Sequence, residues 1–490
     1  MSEVGDIERI TQDRIVQLFR GQLDYTYMGN WQDRPNNSNV EEQLLCAYLK
    51  DKKKYSDVLI NKALYELHKA ADNLSDGLYT TNKKVYSLLR YGVHVKAEAG
   101  ENYQAVELID WKNPLNNDFA IAEEVTVCGV HDKRPDIVLY VNGIALGVLE
   151  LKRSIISIGD GIRQNIVNQH EDFIQPFFTT IQWIFAGNDT QGLRYGTIGT
   201  PEKYYLKWKE DSDVENLLDK YLLKLCDKVR FLEIIHDFIL FDSDIKKLCR
   251  PHQYFGVKAA QQHANRREGG IIWHTQGSGK SLVMVWLAKW ILEHNPNARV
   301  VVITDRDELD KQIEQVFTDV GESMVRTRSG KDLMEQLGNP LPRMLCSLVH
   351  KFGRRDVDSF NEFIEELKDA PCQTVGELFI FVDECHRTQS GKLHKTMKAI
   401  LKNAVFIGFT GTPLLKQDRQ TSLEVFGKYI HTYKFNEGVD DEVVRDLIYE
   451  ARDVDQKITS QKKIDEWFEA KTKGLNDLGV TCLPLSCFPV

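Results

Sequence analysis

No stretch of the 490 residues approaches the roughly 18 consecutive apolar positions of a membrane-spanning helix. A membrane partner is therefore not expected, and the cytoplasm is the expected location. The opening residues, M-S-E-V-G-D-I-E-R-I, break their apolar positions with charges and read as a natural start rather than a leader. Paired cysteines are missing too. Nine are scattered through the chain with no C-x-x-C, which argues against a zinc ribbon or redox motif and for reduced, mostly buried thiols. An excess of positive charge is also lacking: 63 Lys and Arg against 72 Asp and Glu give a net charge of −9. A wholesale basic surface is excluded, so any nucleic-acid contact must be a local groove. The 32 Gly and 13 Pro follow no period, and there is no internal repeat. What remains is ordinary globular composition, 42% hydrophobic and 28% charged, long enough for about three domains.

Residues 1 to about 100 read mostly as helices, with apolar positions recurring every three to four residues through Leu44, Leu45, Tyr48 and Leu49 and through Ile60, Leu64, Leu67 and Ala71. The run Lys50 to Lys54 reads as a solvated loop. From Val93 short β-type runs take over, at 105–111, 121–128, 136–141, 144–151 and 178–186, before a helical pattern from Val214 to Leu248. Beyond Arg250, five apolar runs alternate with longer helical stretches: Gly270 to His274, Arg299 to Thr304, Arg343 to Ser347, Leu378 to Val382 and Ala404 to Phe409. Such alternation predicts β-α-β units and a parallel sheet.

The first of these runs is followed by Thr275, Gln276, Gly277, Ser278, Gly279, Lys280 and Ser281 and then by an apolar helix, the strand, glycine loop and helix of a P-loop. Gly277 and Gly279 would let several N–H groups and a helix N-terminus face one phosphate chain. Lys280 would reach the β- and γ-phosphates of ATP, and the Ser281 hydroxyl would bind Mg²⁺. The strict eight-residue pattern wants Gly where this chain has His274, so the match is to G-S-G-K-S. About 100 residues on, L-F-I-F-V ends in Asp383, Glu384, Cys385 and His386. An acidic pair at the end of a strand neighbouring the P-loop strand would place Asp383 on Mg²⁺ and Glu384 on the attacking water.

Together T-Q-G-S-G-K-S, D-E-C-H and the T-G-T-P of Thr410 to Pro413 resemble superfamily 2 helicases and DNA translocases. The resemblance implies that T-G-T couples nucleotide state to the nucleic-acid track. It also implies that Gln253 contacts adenine and that Thr304, Asp305 and Arg306 touch the strand backbone. Cys385 stands where the family usually has a small residue and reads as a buried thiol.

A second constellation lies earlier. Pro135 and Asp136 precede D-I-V-L-Y-V, then Asn142-Gly143, then I-A-L-G-V-L-E-L-K with Glu150 and Lys152: an N-G hairpin between apolar strands. Two carboxylates on neighbouring strands can hold Mg²⁺ for water activation, with Lys152 offsetting charge on the phosphorane. Alternation puts Glu150 and Lys152 on one face. A plain two-residue turn pairs 141 with 144 and turns Asp136 away. The site therefore requires a three-residue bulged turn, or an equivalent bulge near Gly147. A surface salt bridge is the bland alternative.

P-D-(x)13-E-L-K is similar to the P-D-(D/E)-x-K nuclease pattern, and such a core about 130 residues ahead of a translocase P-loop resembles the restriction (motor) subunit of type I restriction-modification enzymes. G-L-Y-T-T-N-K-K-V-Y-S-L-L-R-Y-G-V, D-E-C-H-R-T-Q-S-G and D-L-I-Y-E-A-R are also close to that family. The resemblance implies an α/β chain: a nuclease domain with a mixed sheet over 1–250, a RecA-like domain with a parallel sheet over 251–435, and over 436–490 a linker and the start of a second lobe. It implies ATP-dependent translocation and Mg²⁺-dependent cleavage of double-stranded DNA beside methyltransferase and specificity subunits. In the family a Gln-x-x-x-Tyr pair supports cleavage; Gln164 fits, whereas Asn168 occupies the Tyr position.

Family members run to roughly twice this length, and the arginine finger lies in the second lobe. The expectation is accordingly that ATPase and translocation are lost here. The last eleven residues, V-T-C-L-P-L-S-C-F-P-V, read as an unnatural end. Two other readings stay open: a stand-alone helicase with an accessory N-terminal fold, and a non-catalytic assembly module.

Overall fold

The computed structural model describes residues 3–98, 100–304, 324–327, 329–348, 374–383, 396–412 and 426–446, with a few isolated positions beyond 460. Residues 1–444 form one compact unit and 445–490 another, whose described positions are mainly helical. Asp305, Arg306, Glu384, Cys385, Pro413 and the eleven C-terminal residues lie outside the described residues.

The first unit opens with α1 (Glu3–Gly21), β1 (Thr26–Asn30), α2 (Glu42–Asp51), α3 (Asp57–Ala71) and α4 (Gly77–Tyr91). Ser56 caps α3 by accepting from Leu59 N–H, and the predicted stripe Ile60, Leu64, Leu67 and Ala71 is buried. Lys50, Lys52 and Lys53 bond surface carboxylates of Asp57, Asp118 and Glu107, as befits a solvated run. β2 (Val93–Val95) and β3 (Gln104–Val106) form a small hairpin.

β4 (Phe119–Glu123), β5 (Ile137–Val141), β6 (Ile144–Leu151), α5 (Ile158–Asn168), β7 (Trp183–Asn188), β8 (Gly192–Gly196) and β9 (Leu206–Lys207) complete the first layer. Its seven strands run in the order β1-β4-β5-β6-β7-β8-β9. β1 joins β4 and β6 joins β7 in parallel, and the other pairs are antiparallel, a mixed sheet as expected. All eight residues of β6 are buried, so both faces of the sheet are covered. β1 lies in a region read as helical, and T-Y-M-G-N is too short to show a period.

Next come α6 (Leu217–Leu225), α7 (Lys228–Asp237) and a hairpin of β10 (Ile239–Asp242) and β11 (Ile245–Leu248). The helical reading through Leu248 is therefore wrong over its last ten residues. Ser243 and Asp244 both take positive φ, 51° and 62°, and close a tight turn with no Asn-Gly to announce it. Lys246, buried on β11, ties the hairpin inward by donating to Asn82 Oδ1 at 2.8 Å and Gln182 Oε1 at 2.6 Å.

The rest forms α8 (Pro251–Asn265), β12 (Gly270–His274), α9 (Lys280–His294), β13 (Ala298–Thr304), β14 (Met324–Thr327), α10 (Gly330–Leu337), β15 (Met344–Leu348), β16 (Glu377–Val382), β17 (Val405–Thr410), β18 (Tyr429–Tyr433) and α11 (Phe435–Asp440). The second sheet has the order β14-β15-β13-β16-β17-β12-β18, every pair parallel. All five apolar runs are strands within a residue or two. One expectation fails: β16, which carries Asp383, does not neighbour the P-loop strand β12, because β17 lies between them. A single apolar cluster runs from Ile15 to Phe409 and joins both sheets. Across that junction the buried Arg90 guanidinium of α4 forks onto both carboxylate oxygens of Glu293 on α9, each at 2.6 Å.

Candidate functional site

The hairpin β5–β6 decides the first site. Val141 pairs with Ile144 across Asn142 (φ 52°) and Gly143 (φ 83°), the tight two-residue turn and not the three-residue one. Tyr140 then pairs with Ala145, but Leu139 pairs with Gly147. Leu146 is thus an extra residue on β6, the alternative bulge near Gly147, and from there Val138 faces Val148 and Ile137 faces Leu149. One more step brings Asp136 opposite Glu150. Without the bulge the carboxylates would sit on opposite faces.

Their contacts fit that register. Asp136 Oδ2 accepts from Leu151 N–H at 2.6 Å, and Lys152 Nζ lies 2.7 Å from Glu150 Oε1. Glu150 is 1% exposed, and its other oxygen, Oε2, is buried without a hydrogen-bond partner. Burial, then the Asp136 carboxylate, pushes the Glu150 acid well above the usual range, with Lys152 offsetting part of the effect. A buried oxygen short of a donor, facing a second carboxylate, fits a divalent cation: the ion would supply the positive charge that a proton otherwise supplies.

Helix α5 leans on this pair through Gly161, where a Cβ would already touch Lys152 Cγ at 3.4 Å and Glu150 Cγ at 3.5 Å. One turn on, Gln164 lines the same cleft of about 570 Å³ as Asp136, Glu150 and Lys152. Asn168, in the position of the family Tyr, is buried outside the cleft lining with neither amide atom hydrogen-bonded.

The sequence reading missed the opposite wall. Arg9 and Gln12 reach it from α1, and Lys133 and Arg134 from the loop before β5. Arg9 bonds Glu123 at 3.0 Å, Gln12 donates to the Asp136 carbonyl at 3.4 Å, and Arg134 pairs with Glu124 at 2.7 Å. R-P-D is a readable signal for Arg134, since it lies two residues before Asp136. For α1, more than 100 residues away, no local pattern could have pointed to the cleft.

At the second site Gly277 (φ 83°) and Gly279 (φ 85°) take the left-handed conformation on which the loop depends. A Cβ at Gly279 would drive into the Gln253 amide. Ser278 closes the turn on itself, its hydroxyl donating to the Thr275 carbonyl at 2.6 Å, and Thr275 N–H reaches Tyr433 O at 2.9 Å. Lys280 opens α9 and is 7% exposed; its Nζ would stand 2.7 Å from a Cβ on Gly411, so the glycine of T-G-T clears its berth. Asp383 accepts from the Thr304 hydroxyl at 3.3 Å. With β17 between β16 and β12, Gly411 of T-G-T lies against Lys280 and Gln276 of the cradle.

Gln253 sits under this loop. Its amide donates to Ser278 O at 3.1 Å and Gly279 O at 3.3 Å, and its oxygen accepts from Arg250 N–H at 2.8 Å. His252, absent from the sequence reading, adds a contact between its Nε2 and Ser278 O at 2.9 Å and stacks on Tyr433. Burial lowers its pKa to about 4, keeping it neutral. His274, at the missing Gly position, faces His431 at 2.9 Å.

Residues 8–203 match the family described as type I restriction enzyme R protein N terminus, and 252–479 match SWI2/SNF2 ATPase. The two matches cover different stretches of the chain, the first similar to an R-protein N terminus and the second to a SWI2/SNF2 ATPase. It is 29% identical to the type I restriction enzyme HindI endonuclease subunit of Haemophilus influenzae, over 92% of this chain and 46% of that one. To the SauMSSORF170P endonuclease subunit of Staphylococcus aureus it is 26% identical, over 69% of this chain and 36% of the other. The chain thus spans about half the length, or less, of these curated relatives. A Sulfolobus solfataricus SWI2/SNF2 ATPase core in complex with dsDNA aligns at 14% identity over 42% of this chain and 40% of its own, with a TM-score of 0.29. The fold of the ATPase lobe rests on its own strand order instead. Asp136, Glu150 and Gln164 fall inside the R-protein match, and residues 275–281 and Asp383 inside the SWI2/SNF2 match. Among the described residues no helix is long and apolar enough to cross a membrane.

Proposed function

We propose that this chain is the cleaving and nucleotide-binding part of an ATP-dependent type I restriction endonuclease. In this reading it cuts double-stranded DNA with Mg²⁺ and works beside methyltransferase and specificity subunits. The observation that carries it is the convergence of Asp136, Glu150 and Lys152 around one buried carboxylate oxygen that lacks a partner.

Asp136 and Glu150 would hold Mg²⁺, which when bound supplies an activated water and charge on the leaving oxygen. Lys152 shares its ammonium between Glu150 and the phosphate that enters, offsetting charge on the phosphorane. Gln164 steadies the same phosphate or its water. Arg9, Lys133 and Arg134 line the cleft and would meet the flanking phosphates, while Glu124 and Asp132 on the same lining make it mixed in charge until a cation offsets Asp136 and Glu150. In the motor lobe the N–H groups from Gly277 to Ser281 and the start of α9 receive the ATP phosphates, Lys280 faces their outer end, and Ser281 and Asp383 hold the accompanying Mg²⁺. Glu384 polarises the attacking water. Gln253 acts by shaping the loop from beneath, alongside any contact it makes with adenine.

The test is plasmid cleavage by the full protein with its methyltransferase and specificity partners, with and without Mg²⁺ and ATP. Cutting should need the metal and vanish in Asp136→Ala. Cutting that survives this substitution would leave a helicase with an accessory fold as the better description.

A further inference from the structure

A separate cavity of about 380 Å³, near the lower end of ligand-pocket sizes, opens where α4, β10 and α9 meet. Tyr86, Leu240 and Phe241 give it an apolar wall. Lys83, Lys84 and Lys289 also line it, and none of its lining residues is acidic. Lys84 is committed, 2.7 Å from Asp76 at the surface.

Lys289 is the unusual member. It is 3% exposed, yet among the described residues no oxygen accepts a hydrogen bond from its ammonium. Lys246, equally buried, is by contrast bonded by two side-chain oxygens. Burial, and then the Arg90 cation, bring the Lys289 pKa down to about 7, with Glu293 and Asp237 offsetting part of this. Lys289 thus lines a pocket whose walls carry no acid, with no hydrogen-bonded anion on its amine among the described residues.

We infer that this cavity binds a small aromatic molecule carrying one anionic group, the anion taken by Lys289 and Lys83 and the ring by Tyr86, Leu240 and Phe241. Charge complementarity selects the anion, and the aromatic and aliphatic wall selects the flat apolar body. Because α9 begins at Lys280, the occupant would rest on the same helix that opens the nucleotide cradle.

Pyridoxal 5′-phosphate is a suitable probe, being an aromatic phosphate with an aldehyde. With the probe's phosphate on Lys83, the neutral fraction of the Lys289 amine attacks the aldehyde carbon, water leaves, and hydride from borohydride reduces the imine to a secondary amine that survives digestion and peptide mapping. Lys280 is an internal competitor, which ATP·Mg²⁺ protects. Lys289 should be labelled to about one equivalent with ATP·Mg²⁺ present, at least about tenfold faster than surface lysines, and be protected by pyridoxine 5′-phosphate, which has no aldehyde. Ser87→Trp, at an exposed position of α4 on the cavity lining, should slow that labelling about tenfold and leave Lys280 unchanged. In Lys289→Gln, equilibrium binding of pyridoxine 5′-phosphate should weaken by about tenfold. Labelling of Lys289 no faster than the surface lysines, absence of protection, or indifference to Ser87→Trp would each overturn the assignment.

Discussion

The two phosphate sites proposed for this chain, the cleft at Asp136 and Glu150 and the cradle at 275–281, are built in opposite ways. The cradle's backbone is local: seven consecutive residues, two of them glycines with positive φ, form it, and Gln253 and His252 brace it from α8. The cleft is assembled from a distance, by two strands, a following helix and α1, and its carboxylates face each other only because Leu146 is an extra residue in β6. A local site tolerates changes in its surroundings and fails when its own backbone is altered. An assembled site fails when register or packing shifts.

The largest effects should separate the two. Lys152→Ala is expected to cut the rate of Mg²⁺-dependent cleavage by about 100- to 1,000-fold, measured on plasmid DNA, and to leave ATP affinity unchanged. Lys280→Ala should weaken ATP binding by about 100-fold in calorimetry while Mg²⁺ still binds at Asp136 and Glu150. Cross-effects of either variant would dissolve the contrast.

Next in size, Gly279→Ala places a side chain at φ 85° and against the Gln253 amide. A loss of ATP affinity of about 10- to 100-fold is expected, with no change in the melting of the first sheet. Within the cleft, Gln164→Ala should slow cleavage by about tenfold, whereas Asn168→Ala, outside the lining, should stay within about twofold.

The smallest effect is one of stability. Glu150 holds its proton more tightly when folded than unfolded, so above the ordinary glutamate range stability falls as pH rises toward its raised value. Glu150→Gln removes that penalty and should raise the melting temperature by about 2 °C at neutral pH in EDTA, and saturating Mg²⁺ should erase or reverse the difference. A lower melting temperature in EDTA would mean that the Lys152 pair outweighs burial.

How much could be read beforehand follows the same division. Five of the seven strands of the second sheet were legible because buried parallel strands are continuous apolar runs, whereas β14 and β18 are only partly buried and escaped; T-Q-G-S-G-K-S carries its geometry in its glycines. Asp136, Glu150 and Lys152 could be named and their shared face tied to a bulge in the turn or near Gly147, but which of the two could not be told. Every residue of β6 is buried, so alternation gives no hint that Leu146 is the supernumerary one. The β10–β11 hairpin escaped because Ser243-Asp244 lacks the usual turn signature, and β17 between β16 and β12 is a matter of topology that no local run of residues encodes. Arg9, Gln12 and His252 belong to sites that only tertiary packing assembles.

The fork of Arg90 onto Glu293 bears on how relatives of this chain can be recombined. A chimera spliced at the start of α8 would keep Arg90 from one parent and take Glu293 from the other, and a mismatch there would strand a cation against Tyr86 and the base of α9. Grafts that carry α4 and α9 from the same parent should express and melt in one step, while mismatched grafts should precipitate even though every catalytic side chain is intact.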